Sequence, residues 1–277
     1  MAKLSAIVLA AGHGKRLKSS LIKVAHSVAG KFVLSHVLDC IRQVGCEQLY
    51  VVVGYQADLV KSRFKAEDIC FVHQKEQLGT GHAVQQVSAY FEDMDDVPVL
   101  ILAGDCPFVS PETLTNLLAC HQQANAQATV FTALLDNPQS YGRLIRTEAG
   151  LVEAIIEAKD CTPEQLQVKE VNSGIYLFQS KALFSALNQV NCNNKQGEFY
   201  LTDVIQILVD QGETVSAYVG PSANEMLGIN NRADLALIER VFREAIVEKH
   251  MNNGVTFIDP TTVYIDQAVE IGADTII

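Results

Sequence analysis

Apolar and polar positions along the first 110 residues follow two rhythms. Short runs dense in β-branched and aliphatic residues, LSAIVLA, QLYVVV, ICFVH and VPVLILA, are separated by stretches with helical apolar spacing, Val33 to Val44, Ala57 to Phe64 and Gly81 to Tyr90. Strand and helix in regular alternation predict βαβ units and a parallel sheet. Neither LYVVV nor VLILA alternates with polar residues, so the sheet is expected to be covered on both faces.

Beyond Pro111, which opens a helix reaching about residue 124, the texture changes. ATVFTALL reads as a strand, YGRLIRTEAGLVEAIIE (141–157) as a hairpin turning on Glu148-Ala149-Gly150, and VNSGIYLF (171–178) as another strand. These predict a small antiparallel lobe attached to the parallel one. A helix from Thr202 to about Gln211, a strand TVSAYV and a long helix from Arg232 to Asn252 follow. After Asn253, Ile265, Ile271 and Ile277 recur every six residues, as do Val263, Val269 and Thr275, the period of a hexapeptide parallel β-helix. About three hexads close one coil, so residues 253–277 predict only a truncated start of one; chance spacing in a linker is the plainer alternative. The expected organisation is a main domain at 1–228, a connecting helix at 229–252 and the β-helix start at 253–277.

Charge narrows the partners. With 21 Lys+Arg against 32 Asp+Glu and a formal charge of -11, long-range attraction to nucleic acid or anionic lipid is disfavoured. An anion must then be held by a local cluster. The seven cysteines are scattered without a C-x-x-C pair, which fits small buried thiols in a reducing compartment. The seven histidines form no metal-ligand pattern. The N-terminal apolar run enters a glycine loop and reads as a strand, and no run approaches the length of a membrane span, so a soluble, cytoplasmic protein is expected.

The glycine loop, LAAGHGKRLKSSLIK (9–23), is where chemistry enters. A dinucleotide fingerprint needs a third glycine where Leu17 stands and an acid after the second strand where Gly54 stands, which argues against a nicotinamide or flavin enzyme. Gly12 and Gly14 let backbone N–H groups converge on an anion, and Arg16 and Lys23 supply a bidentate fork and a point charge. Solvated surface charges are the bland alternative. Asp105 follows VPVLILA at the strand edge where open α/β sheets keep ligands, although a turn or capping aspartate also fits there.

LAAGHGKRLKSSLIK resembles the L-A-A-G-x-G-T-R-M-x-S-x-x-P-K signature of the sugar nucleotidyltransferases. QLGTGHA (77–83), YGR (141–143), IIEAKDCT (155–162), VNSGIY (171–176), GEFYLTD (197–203) and GINNR (228–232) make the chain similar, in order and nearly throughout, to the uridyltransferase domains of bifunctional N-acetylglucosamine-1-phosphate uridyltransferase/glucosamine-1-phosphate acetyltransferases. The resemblance implies a Rossmann-like α/β nucleotidyltransferase fold with a mixed, mainly parallel sheet. It implies UMP transfer from UTP to N-acetylglucosamine 1-phosphate, giving UDP-N-acetylglucosamine and pyrophosphate for cell-envelope synthesis. By the same resemblance, Arg16 and Lys23 are catalytic. Ala11, Gly12, Gly14, Gln74, Gln77, Gly79 and Thr80 bind the nucleotide, and Gly142, Glu157, Asn172 and Thr202 bind the sugar. Asp105 and Asn230 hold Mg²⁺. Gln74 and Gln77 as exposed polar residues, Glu157 as a strand-end charge and Tyr200 as packing are the plainer readings of the residues alone.

Three positions depart from the pattern: Lys15 in place of threonine, Ile22 in place of proline and Ala103 in place of a tyrosine. Losing the proline is expected to loosen the aim of Lys23, and losing the aromatic to widen the sugar pocket. A sugar phosphate is already ionised at neutral pH, so positioning and charge neutralisation are expected to carry catalysis without a general base. A related nucleotidyltransferase of altered specificity and a non-catalytic nucleotide-sugar sensor are the rivals. Acetyl transfer, which the resemblance places in a complete trimeric β-helix, is not expected of residues 1–277; an apolar tail leaves weak self-association open.

Overall fold

The computed structural model describes residues 4–277. Its first strand, β1 (Ser5–Ala10), sends Ala6, Val8 and Ala10 to one face of the sheet and Ile7 to the other, and both sets are buried. After a two-stranded ribbon, β2 (Ser27–Val28) and β3 (Lys31–Phe32), come α1 (Val33–Gln43), β4 (Gln48–Val53), α2 (Ala57–Arg63), β5 (Ile69–His73), α3 (Thr80–Gln85), β6 (Pro98–Ala103) and α4 (Pro111–Gln123). The second half holds β7 (Ala128–Leu134), the hairpin β8 (Arg143–Arg146) and β9 (Val152–Ile156), β10 (Glu170–Gln179), α5 (Ser180–Leu187), α6 (Asp203–Asp210), β11 (Val215–Val219) and α7 (Arg232–Asn252).

The main sheet runs β11-β7-β10-β6-β1-β4-β5, with β8 paired to β10 and β9 to β8. Along that path β10 is the one strand laid antiparallel to its neighbours, so the fold is Rossmann-like α/β with a mostly parallel sheet and a small antiparallel lobe. Helices α1, α2 and α4 cover one face through Leu34, Val37, Ile41, Val60, Leu114 and Leu117. Helices α3, α5 and α6 cover the other through Val84, Leu183, Ala186, Val204 and Leu208. Burial on both faces is the physical reason β4 and β6 lack polar alternation. Strand β1 lies between β4, which follows it in the chain, and β6, which is added on the other side after β5. This is a topological switch point, and the carboxyl ends of β1, β4, β5 and β6 open on one edge there.

The structure differs from the reading of the sequence in two places and adds detail in two more. The predicted helix from Gly81 to Tyr90 ends at Gln85 and resumes as a short 3-10 turn at Ser88–Tyr90. Helix α5 and the β2–β3 ribbon were not foreseen. Residues 253–277 form turns closed by one isolated parallel bridge, Thr256 to Ile276, with the Thr256 N–H donating to the Thr275 carbonyl at 2.9 Å and the Ile277 N–H to the Thr256 carbonyl at 2.9 Å. Val263, Ile265 and Ile271 pack against Val247, Val255 and Phe257 at the end of α7, while Val269 stays exposed. The tail also reaches the main body, where the Gln267 N–H donates to the Ala29 carbonyl at 3.0 Å. At Ile22, where the lost proline predicts a looser backbone, the N–H donates to Gln56 Oε1 at 2.9 Å.

Candidate active site

A cavity of about 280 Å³ opens at the carboxyl edge of the parallel strands. Ala11, Gly12 and Lys23 line it from the glycine loop, Gln74, Gln77, Gly79 and Thr80 from the segment after β5, and Ala103 and Asp105 from the end of β6. Residues distant in sequence thus converge because four parallel strands end together. Gly12 is exposed and has nothing within 4 Å of where a Cβ would stand, which leaves room for a ligand to approach its backbone. Gly54, after β4, is a glycine for the opposite reason: a Cβ there would lie 2.7 Å from Gln77 Nε2.

The segment carrying the two glutamines is fixed from within. Gln74 is buried; its Nε2 donates to the Gly79 carbonyl at 3.2 Å and meets His82 Nδ1 at 3.0 Å. Gln77 Nε2 donates to the Gln74 carbonyl at 3.2 Å. Gly79 has φ +119°, and a Cβ on it would meet the Phe199 carbonyl oxygen at 2.5 Å. The loop packs so closely there that Phe199 N–H donates to the Leu78 carbonyl and Gly81 N–H to the Phe199 carbonyl, both at 2.8 Å. Thr80 Oγ1 accepts from Leu201 N–H at 3.1 Å, which ties this wall to the residues that precede α6. Glu198, a wall residue to which sequence reasoning gave no role, enters the cavity from that same stretch.

Two of the loop's basic residues, Arg16 and Lys23, each face one of the two expected metal ligands. Lys23 forms an ion pair with the buried Asp105 carboxylate. Arg16, exposed and outside the cavity lining, donates from Nη2 to Asn230 Oδ1 at 2.9 Å. Asn230 is brought near Asp105 by the turn before α7, where Ile229 N–H donates to the Asp105 carbonyl at 3.2 Å and a Cβ on Gly228 would lie 3.2 Å from Asp105 Oδ2. Asn231 caps α7 and Asp234 closes a capping box that also binds the Asn230 N–H at 2.8 Å, so helix formation fixes the amide's position. One carboxylate and one neutral amide oxygen are hard donors of the kind Mg²⁺ takes, and they leave coordination positions for phosphate oxygens. Gly14 sits at φ +61° with Lys23 Cβ 3.1 Å from where its own Cβ would be, so the loop folds back on itself to deliver the lysine.

The expected sugar residues form a second group beside the first. Asn172 N–H donates to the Gly142 carbonyl at 2.9 Å, and Asn172 Nδ2 donates to the Tyr176 hydroxyl at 2.6 Å. Gly142 passes close to Glu157, whose Oε1 lies 3.6 Å from where its Cβ would stand. Burial raises the Glu157 carboxyl above its ordinary range, and the neighbouring Asp160, Asp203 and Glu198 push it further. Asp203 is pushed up to about 6, by burial and then by Asp160. Thr202 Oγ1 is buried with no partner. A buried hydroxyl left unpaired marks a position that a ligand can satisfy. Tyr200 is buried, its hydroxyl accepting from Gln196 at 2.6 Å, in keeping with a packing role. Among the sugar residues none lines the 280 Å³ cavity itself; Glu198 connects the two groups, lining that cavity and pushing on Glu157.

Residues 6–205 match the MobA-like NTP transferase domain, and the chain belongs to that family. Within it, the chain is 47% identical over 277 residues to the bifunctional protein GlmU of Geobacillus sp. (strain WCH70), covering 100% of this chain and 60% of that one. It is 46% identical to bifunctional protein GlmU of Halalkalibacterium halodurans over the same shares, and 46% identical over 272 residues to that of Clostridium botulinum (strain Eklund 17B / Type B). The chain thus spans about 60% of the length of these relatives. Its fold is similar to that in a crystal structure of UDP-glucose pyrophosphorylase complexed with UDP-glucose, with a TM-score of 0.74 at 16% identity over 88% of this chain and 100% of that one.

Proposed function

We propose that this chain transfers UMP from UTP to N-acetylglucosamine 1-phosphate, releasing pyrophosphate and forming UDP-N-acetylglucosamine, a cell-envelope precursor. The observation that carries the proposal is the meeting, at one sheet edge, of an amide-lined cavity, a basic glycine loop and two hard oxygen donors, in a chain whose full length is similar to about 60% of the named relatives. Uracil has two carbonyl acceptors and one N–H donor, which Gln77 and the backbone at Ala11, Gly12, Gly79 and Thr80 can match, with Gln74 holding the loop. Asn172, Glu157, Thr202 and the Gly142 backbone take the sugar hydroxyls and the N-acetyl group.

A phosphate oxygen of the sugar phosphate attacks the α-phosphorus of UTP while the bond from that phosphorus to the α,β-bridging oxygen breaks, so the electron pair leaves on pyrophosphate. No proton has to move, and the work of the protein is alignment and charge neutralisation. Lys23 and Arg16, released from Asp105 and Asn230 when phosphates arrive, neutralise the charge gathering on the leaving group, and the Gly12–Gly14 backbone steadies it. Asp105 and Asn230 are assigned to Mg²⁺, which when bound supplies charge neutralisation between the two anionic reactants.

The reading places the protein in the cytoplasm, divides it at 1–228, 229–252 and 253–277, and assigns no acetyl transfer to these residues. In it, the 253–277 segment begins a hexapeptide β-helix, and trimers form where that helix is complete. The test is pyrophosphate release with Mg²⁺ across a grid of nucleoside triphosphates and sugar 1-phosphates. UTP with N-acetylglucosamine 1-phosphate is expected to give the highest kcat/KM. A different preferred pair would establish altered specificity. Tight binding of UDP-N-acetylglucosamine without turnover of any pair would establish a sensor.

A further inference from the structure

The approach to Lys23 holds an arrangement that the proposed reaction does not by itself require. Ile22 has φ −59° and ψ 144°, and its side chain is fully buried. Its N–H donates to Gln56 Oε1 at 2.9 Å, and Gln56 Nε2 donates to the Ser20 carbonyl at 2.6 Å. One side-chain amide therefore grips the backbone on both sides of Leu21, across 34 residues of sequence. The two bonds fix which end of the amide faces which partner, since exchanging oxygen and nitrogen would set donor against donor and acceptor against acceptor.

The platform beneath this grip is equally specific. Gln56 lies in the left-handed region at φ 53°, ψ 37°, where non-glycine residues are uncommon, and such strain persists where the surroundings impose it. Just before it, Tyr55 stacks on His13 at 3.7 Å between ring centroids and donates its N–H to the Ala11 carbonyl at 3.4 Å. The segment 54–56 thus backs the glycine loop at both ends, by stacking and a backbone bond near residues 11–13 and by the amide grip at 20–22. Ile22 carries the φ of a proline without the ring, and its N–H, which a proline would lack, is what Gln56 holds.

We propose that Gln56 is a positioning residue for Lys23: it replaces, with two hydrogen bonds, the covalent restriction that a proline at position 22 would impose. It touches neither substrate and acts through the loop it holds. The inference rests on the assignment of Lys23 to the transferring phosphates.

The test is a double-mutant cycle with Gln56→Gly and Ile22→Pro. Gln56→Gly relieves the left-handed strain and removes the side chain that carries the amide; a melting temperature near the parent's is the control. The expected result is a fall in kcat for pyrophosphate release of about tenfold, with KM for N-acetylglucosamine 1-phosphate within twofold. In the Ile22→Pro background the same change is expected to cost less than twofold, because no N–H remains to be held and φ is fixed by the ring. Equal losses in the two backgrounds, or none in either, would overturn the proposal. If the folded parent binds UTP and turns over nothing, the functional reading fails instead. The inference is then decided by hydrogen exchange at the Ile22 amide, which Gln56→Gly is expected to accelerate at least tenfold and which unchanged protection would contradict.

Discussion

On the parallel side of the site Lys23 is paired with Asp105 and Arg16 rests on Asn230, whereas on the antiparallel side Glu157, Asp160 and Asp203 crowd together, and burial and mutual repulsion raise Glu157 and Asp203. The first region keeps its polar groups satisfied, and in the proposed reaction Lys23 and Arg16 exchange these partners for phosphates. The second leaves the Thr202 hydroxyl and Asp160 Oδ2 buried and unpartnered. Phosphates carry permanent charge and can displace a guanidinium or ammonium from its resting partner. Sugar hydroxyls are neutral and bind best where acceptors have no better partner already. Opposite preparation of the two regions therefore matches opposite ligand chemistry.

Four substitutions sharpen this contrast, in falling order of effect. Asp105→Asn removes the carboxylate that pairs with Lys23 and is expected to lower turnover beyond about 10³-fold while uridine still binds, since the residues assigned to the base lie at 11–12 and 74–80. Calorimetric titration with uridine beside the turnover assay checks it; joint loss of both in a folded variant would give Asp105 another role. Arg16→Ala is expected to cost about 10²–10³-fold in kcat, about 3–4 kcal/mol of transition-state stabilisation. Turnover within threefold of the parent would remove Arg16 from the mechanism.

Glu157→Gln keeps the shape and removes the charge. Its expected effect is a rise of about tenfold in KM for N-acetylglucosamine 1-phosphate with the KM for UTP unchanged, as steady-state kinetics with each substrate varied in turn would measure. A matching rise for UTP would blur the division between the regions.

The smallest effect is on stability. Asp203 begins α6, where the helix N-terminus favours an ionised acid, yet burial and Asp160 raise its folded value to about 6 from 3.8. A folded value above the unfolded one means that the folded protein binds the extra proton. The stabilising contribution is therefore complete below about pH 4 and lost as pH rises through about 6. At pH 8 the ionised Asp203 is a burden of about 1 kcal/mol once its half-exposure is allowed for. Asp203→Asn is expected to raise the melting temperature by roughly 2–4 °C at pH 8 and not at pH 4, as thermal unfolding across that range would show. An equal shift at both values would mean that packing, not charge, is responsible.

Much of the parallel side was legible in the sequence because its signals are local. Unbroken apolar strands, a glycine loop and a capped helix at Arg232–Asn252 each announce themselves within a dozen or two residues. Helix α5 was not, because β10 runs straight into it at Gln179 with no side-chain cap and no glycine or proline between them. The β2–β3 ribbon turns on Ala29 and Gly30, both at positive φ, and alanine gives no warning of that conformation. The pairing of Lys23 with Asp105 and the grip of Gln56 on Ile22 depend on strands that meet only in the folded sheet. The hexad spacing after Asn253 was real as a pattern of apolar residues, and three of them pack at the end of α7, but periodicity alone does not supply the neighbouring coils that turn such residues into strands.

The measurement that bears most directly on the central claim is ³¹P nuclear magnetic resonance of the protein with UTP, N-acetylglucosamine 1-phosphate and Mg²⁺. The account predicts that the sugar monophosphate signal is replaced by the paired resonances of a sugar-nucleoside diphosphate, with one pyrophosphate formed for each. Release of inorganic phosphate instead, or unchanged spectra from folded protein that demonstrably binds both reactants, would contradict it.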